Sequence, residues 1–147
     1  MKAARRPIDH RTRVGRQRSA RTASRIVQAA LRVFAERGPD APVIDEFVQA
    51  AGVARGTFYN HFESVEELLQ ATSAWTTREV VADIAAAMAG LEGPTLRLGV
   101  GLRLFFARAL RDPVWCRFVA RVWNVGGLEL PGRDLEAGIQ QGHFRVP

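Results

Sequence analysis

The chain is poor in cysteine and has no long apolar run. Cys116 is its one cysteine, so an internal disulfide and any site built on paired thiolates are excluded. That usage fits a reducing cytoplasm. No apolar stretch approaches the roughly 18 residues of a membrane span. The basic N-terminus is not followed by the apolar segment of a secretory signal. The histidines His10, His61 and His143 lie too far apart to give a metal-ligand spacing. There is no G-x-S-x-G string and no Walker loop. A nucleophilic Cys116 competes with the commoner state of a small buried hydrophobe, here beside Trp115. Glu66 and Glu67 suit a helix start better than acid catalysis. The sequence is therefore expected not to encode an enzyme and to need no cofactor or metal. It also lacks repeats and any alternating β pattern of useful length, so the expected fold is all-α.

Acid is scarce where base is abundant. Residues 1–25 hold Lys2, Arg5, Arg6, Arg11, Arg13, Arg16, Arg18, Arg21 and Arg25 against the single acid Asp9, in a chain of net charge +6. The positive excess therefore lies wholly in this segment. A basic arm on a near-neutral body suits a polyanion, with nucleic acid ahead of an anionic membrane surface. The arm's few large apolar residues, Ile8 and Val14, speak against the membrane. Residues 1–18 read as an arm that is disordered when nothing is bound. With 47% hydrophobic residues over 147 positions, the remainder is globular.

An amphipathic pattern starts at Thr22, a candidate N-cap, and runs through Ile26, Ala30, Val33 and Phe34. Gly38 and Pro39 stop it. After the turn "PDAP", Asp45 and Glu46 occupy the first turn of a second, short helix, where the helix dipole favours acids. Asp40 is the candidate cap, with Pro42 inside the first turn. Ile44, Phe47, Val48 and Ala51 face the core, and Gly52 ends the helix.

Residues 51–62, "AGVARGTFYNHF", then read as a helix–turn–helix. Gly52 supplies the positive φ of a sharp reversal. Val53 plugs the angle between the helices, and a third helix starts near Ala54. Phe58 and Phe62 turn inward. Arg55, Gly56, Thr57, Tyr59, Asn60 and His61 remain outward or sideways: donors without an acid, around a glycine that allows close approach. Such a set can reach base edges and phosphate oxygens. The competing reading is a three-helix core with an ordinary polar face.

The strings "RIVQAALRVFAERG" and "VIDEFVQAAGVARGTFYNHFESVEELL" resemble the DNA-binding domain of the TetR family of bacterial transcriptional regulators over residues 22–69. The resemblance implies a DNA-binding domain over 19–63, a partial helical effector-binding and dimerisation domain over 64–147, and a cytoplasmic homodimer on operator DNA. It implies a repressor released by a small molecule. The DNA-facing residues it implies are Arg21, Thr22, Arg55, Gly56, Thr57, Tyr59, Asn60 and His61. Tyr59 and His61 are expected on phosphates, and Asn60 is a candidate base reader. The sequence departs from the family at Val43, Ala54 and Val65, where Thr, Ser and Lys are usual. These departures keep a second reading open: a partner module that pairs with a longer relative instead of binding operators.

Ser64 and Glu67 form an S-x-x-E capping box at the start of a long helix through Leu68, Leu69, Trp75, Val80, Val81, Ile84 and Met88. Further helices start at Pro94 or Thr95 and at Asp112-Pro113, and a last one covers roughly 131–141. Trp75, Phe105, Phe106, Trp115 and Trp123 are candidates for an apolar effector pocket, or else for plain core; the expected effector is apolar or aromatic. TetR-like relatives continue through two more helices that form the dimer interface. The 147-residue chain is therefore expected to expose an apolar patch and to be monomeric or aggregated alone.

Overall fold

The computed structural model describes residues 10–126 and 132–145, and within them seven helices and no strand. The first helix, α1 (His10–Arg37), begins twelve residues before the expected start. Thr22 is not its N-cap: it lies mid-helix, where its hydroxyl donates to the Arg18 carbonyl at 3.1 Å. Residues 10–18 are helical, not a disordered arm. Four arginines and Gln17 are good helix formers, and the weaker formers Thr12, Val14 and Gly15 are too few to break the helix. The expectation for residues 1–9 lies outside the described residues. At the other end the Gly38 N–H donates to the Phe34 carbonyl at 2.9 Å, with φ 86° at Gly38.

Helix α2 (Ile44–Ala51) is capped by Val43, not by Asp40. Val43 has extended backbone and no side-chain acceptor; as the cap it lies three residues beyond Asp40, and Pro42 stays outside the helix. Glu46 compensates in part: its carboxylate accepts from the Val43 N–H at 3.1 Å and bonds Arg37 of α1 at 2.9 Å. Gly52 has φ 61°, and the Val53 N–H donates to the Val48 carbonyl at 3.0 Å. That left-handed residue sends the chain into α3 (Arg55–Tyr59). Ser64 caps α4 (Val65–Met88), its hydroxyl accepting from the Glu67 N–H at 3.1 Å. The return bond of the box is shifted by one residue, since Glu67 accepts from Glu63 N–H.

Helices α5 (Pro94–Arg111), α6 (Pro113–Gly126) and α7 (Gly132–Gln140) complete the described chain. Asp112 caps α6 as expected, accepting from the Trp115 N–H at 3.0 Å. No helix among the described residues is long and apolar enough to cross a membrane.

Helix α1 packs against α2, α4 and α6. Phe34 is the junction. Fully buried, it lies 4.9 Å from the Phe47 ring of α2 and 6.3 Å from the Phe118 ring of α6. The core therefore runs without interruption from the helix–turn–helix into the second half, through Ile26, Ala30, Phe58, Leu68 and Trp115. Each such Phe side chain contributes roughly 1.5–3 kcal/mol by burial. The large apolar residues left exposed include Leu96, Leu102, Phe106 and Leu110 of α5 and Leu135 and Ile139 of α7.

Candidate nucleic-acid interface

Two inward residues orient the recognition segment. Phe58 is fully buried and Phe62 nearly so, with ring centroids 5.9 Å apart. Anchored there, α3 turns Arg55, Gly56, Tyr59 and Asn60 to solvent and leaves Thr57 and His61 half-buried. Tyr59 is 49% exposed, and its ring stands edge-on to Phe58 at 5.6 Å. The phenol ring thus packs against Phe58 and stays half exposed. A Cβ at Gly56 would meet nothing within 4 Å. No close intramolecular packing requires this glycine; it keeps the outer surface of α3 bare.

The structure adds a neighbour that spacing alone did not reveal. Arg55 Nη1 donates to Asp45 Oδ1 at 2.9 Å, joining α3 to α2 across the Gly52 turn. The Arg55 pKa is raised, first by hydrogen bonding to the Tyr59 side chain and then by the Asp45 carboxylate. The expected acid-free set therefore has an acid beside it, on the preceding helix.

The three departures have distinct consequences. Val43 is 60% exposed at the head of α2. Ala54 caps α3 with extended backbone (φ −76°, ψ 154°) and no side-chain bond, so the first N–H groups of α3 lack the acceptor that Ser would give. Val65 is half-buried and packs against the core.

Helix α1 supplies charge to the same half of the molecule. Arg18, Arg21 and Arg25 are exposed and spaced i, i+3, i+7, which puts them on one face. Thr22 is half-buried, with its hydroxyl proton used on the helix backbone.

Of the five aromatics of the second half, four have described side chains, and these sit in different surroundings. Trp115 is 1% exposed, inside the core, with Phe105 edge-on at 5.3 Å. Trp75 and Phe105 are half-buried parts of that packing, and Phe106 is 59% exposed. The Trp123 side chain lies outside the described residues. A groove of about 380 Å³ opens instead between α4 and α5, lined by Val80, Ile84 and Leu104 and by Arg103, Arg108 and Arg111. None of the described four aromatics lines it. Core formation took Trp115 wholly and Trp75 and Phe105 in part, because large rings bury the most apolar area per residue.

Residues 26–72 match the family described as bacterial regulatory proteins, tetR family. An uncharacterized HTH-type transcriptional regulator of Mycobacterium tuberculosis is 30% identical over 118 residues, which cover 80% of this chain and 58% of that protein. A TetR family transcription regulator from Marinobacter aquaeolei has the same fold, with a TM-score of 0.71 at 22% identity over 86% of this chain and 73% of that one. The crystal structure of RolR in complex with resorcinol has a TM-score of 0.54 at 26% identity, over 89% and 70%. The chain thus spans less than two thirds of the length of the M. tuberculosis relative. The family match on residues 26–72, set in an all-helical architecture, identifies a helix–turn–helix domain of the TetR family of bacterial transcriptional regulators in this chain.

Proposed function

We propose that this chain binds double-stranded operator DNA, with α3 in the major groove and the arginine face of α1 on the phosphate backbone. One observation carries the reading: behind the buried Phe58 and Phe62, the exposed Arg55, Gly56, Tyr59 and Asn60 form one surface, flanked by half-buried Thr57 and His61. Arg55 and Asn60 have the donor geometry for guanine and adenine edges. Tyr59 and His61 suit phosphate oxygens, and Arg18, Arg21 and Arg25 add sequence-independent attraction. TetR-family proteins are DNA-binding regulators, not enzymes.

The regulatory part follows from the second half. We read the chain as part of a repressor that a small organic effector releases; in the intact family architecture, two paired copies would set their recognition helices on half-sites about 34–36 Å apart. A related fold that holds resorcinol supports an organic effector.

The test is selection from random duplex DNA, followed by titration of the selected site at several salt concentrations. Recovery of one inverted-repeat motif, with affinity falling steeply as salt rises, is the expected result. No enrichment and no salt-dependent binding at low ionic strength would overturn the proposal in favour of a partner module.

A further inference from the structure

The groove between α4 and α5 has a chemical character that the aromatic residues did not foretell. Its apolar wall is Val80 and Ile84 of α4, one helical turn apart and nearly fully buried, faced by Leu104 and Ala107 of α5. Its polar part is cationic. Three arginines line it with two acids, Asp83 and Asp112, while Glu79 reaches Arg108 from beside the groove.

The acids are not equally free to neutralise the arginines. Asp112 Oδ1 is used on the Trp115 N–H as the α6 cap, and its Oδ2 lies 3.5 Å from Arg108 Nη2. Arg108 Nη2 also faces Glu79 at 3.7 Å. Both distances are long for a charge-assisted pair, which closes to about 2.7–2.9 Å. The Arg108 Nε is buried with no hydrogen-bond partner, an arrangement that costs free energy until an acceptor or a tighter ion pair offsets it. The guanidinium is held in place by the Trp115 ring, 5.8 Å from its centroid. Arg103 and Arg111 make no ion pair among the described residues. Arg111 lies at i+3 from Arg108, so the two side chains rise about 5–6 Å apart on one face of α5.

We infer that this groove binds a small organic acid: one carboxylate between Arg108 and Arg111, on an apolar body laid over Val80, Ile84 and Leu104. The inference deepens the reading of the chain as an effector-controlled regulator by naming the effector's chemistry. Among the lining charges without an ion pair, Arg103 and Arg111 face the single acid Asp83, an excess that matches a monoanion. A phosphate ester or nucleotide would bring a second negative charge toward Asp83 and Asp112. An amine would meet two unpaired guanidiniums. The size falls within the ~300–1,000 Å³ of small-molecule sites, and three convergent donors on apolar walls are the usual composition of such a site. Relative to the effector expected from the sequence, the apolar body remains and an acidic head is added.

The experiment uses the 147-residue chain and four probes of known chemistry: octanoate, octan-1-ol, octylammonium and inorganic phosphate. Binding is followed by calorimetry and by tryptophan emission, since Trp115 lies under Arg108. Octanoate should bind saturably, at least tenfold tighter than octan-1-ol, with no binding of octylammonium or phosphate. Arg111→Gln alters an exposed residue and should fold normally; it should weaken octanoate about tenfold and leave octan-1-ol unchanged. Arg108→Gln should do the same and also shift the tryptophan emission. Equal affinity for octanoate and octan-1-ol, or full octanoate affinity in Arg111→Gln, would overturn the assignment, as would no octanoate binding at millimolar concentration. Operator binding is measured separately on the same samples. Octanoate binding without any DNA binding would sink the regulator reading and leave the groove assignment standing; DNA binding without octanoate binding would do the reverse.

Discussion

Arg55 of α3 and Asp45 of α2 are joined at 2.9 Å across the Gly52 turn, on the surface proposed to meet DNA. Both side chains are more than half exposed, so the pair adds little to stability. Its effect is on orientation: Asp45 fixes where the Arg55 fork points and places a negative charge near incoming phosphates. Asp45→Asn should leave the melting temperature within a few degrees of the parent. It should tighten binding to random DNA severalfold while lowering the ratio of specific to non-specific affinity. Anisotropy titrations on operator and scrambled duplexes measure both; an unchanged ratio would mean that Asp45 does not position Arg55.

Ala54 gives the second prediction. It occupies the N-cap of α3 with the backbone geometry of a cap and without the acceptor. Ala54→Ser supplies that acceptor and should stabilise the fold by roughly 0.5–2 kcal/mol. It should also tighten operator binding, because a five-residue helix has few other bonds to resist fraying. Denaturant titration and a parallel DNA titration check it. A loss of stability would show that a Ser hydroxyl is not tolerated in this turn.

Tyr59 and Asn60 separate the two kinds of DNA recognition. Tyr59→Phe removes one hydroxyl from an exposed ring edge and should cost about 1 kcal/mol on every sequence alike. Asn60→Ala should change which bases are preferred. A selection from random DNA that returns one motif for both Asn60→Ala and the parent would remove Asn60 from the readout.

The arginine face of α1 supplies the fourth. Replacing Arg18, Arg21 and Arg25 together by Gln should flatten the slope of log K against log salt by about 0.9 for each phosphate that is no longer neutralised. Helix content should hold, since Gln is nearly as good a helix former as Arg. An unchanged slope would take this face off the DNA.

What the sequence disclosed depended on whether a residue's role was local. Gly52, Phe58 and Phe62 were legible because a turn and two inward aromatics within eleven residues leave a pattern. Asp112 was legible because the Asp-Pro pair is itself a helix start. The N-terminal half of α1 was not: it buries almost nothing, so no apolar period marks it, and only the propensities of Arg, Gln and Ala pointed to helix. The Arg55–Asp45 pair spans ten residues and a reversal, which no helical period links. The groove joins Val80 and Ile84 to Arg108 and Arg111, a meeting made by helix packing alone. The same packing put Trp115 into the core, where the sequence left both pocket and core open.

That packing carries the last prediction. Phe34 touches Phe47 on one side and Phe118 on the other, so the helix–turn–helix and α6 share a single buried ring. Phe118→Ala leaves a cavity beside Phe34 and should cost about 3–5 kcal/mol, a large part of the ~5–15 kcal/mol available to a domain of this size. If the core is one cooperative unit, the loss falls on both halves at once. Urea unfolding followed by far-ultraviolet dichroism, which reports all helices, and by tryptophan emission, which includes Trp115 of α6, should give coincident curves in the parent and in Phe118→Ala. The variant's midpoint should be lower with the slope preserved. Were the helix–turn–helix an independent domain, the dichroism curve of the variant would split in two, and only the part that follows the tryptophan signal would move. Coincident curves would mean instead that stress applied at α6 reaches α2 through Phe34, the physical route by which events in the second half can be felt where Arg55 and Tyr59 face solvent.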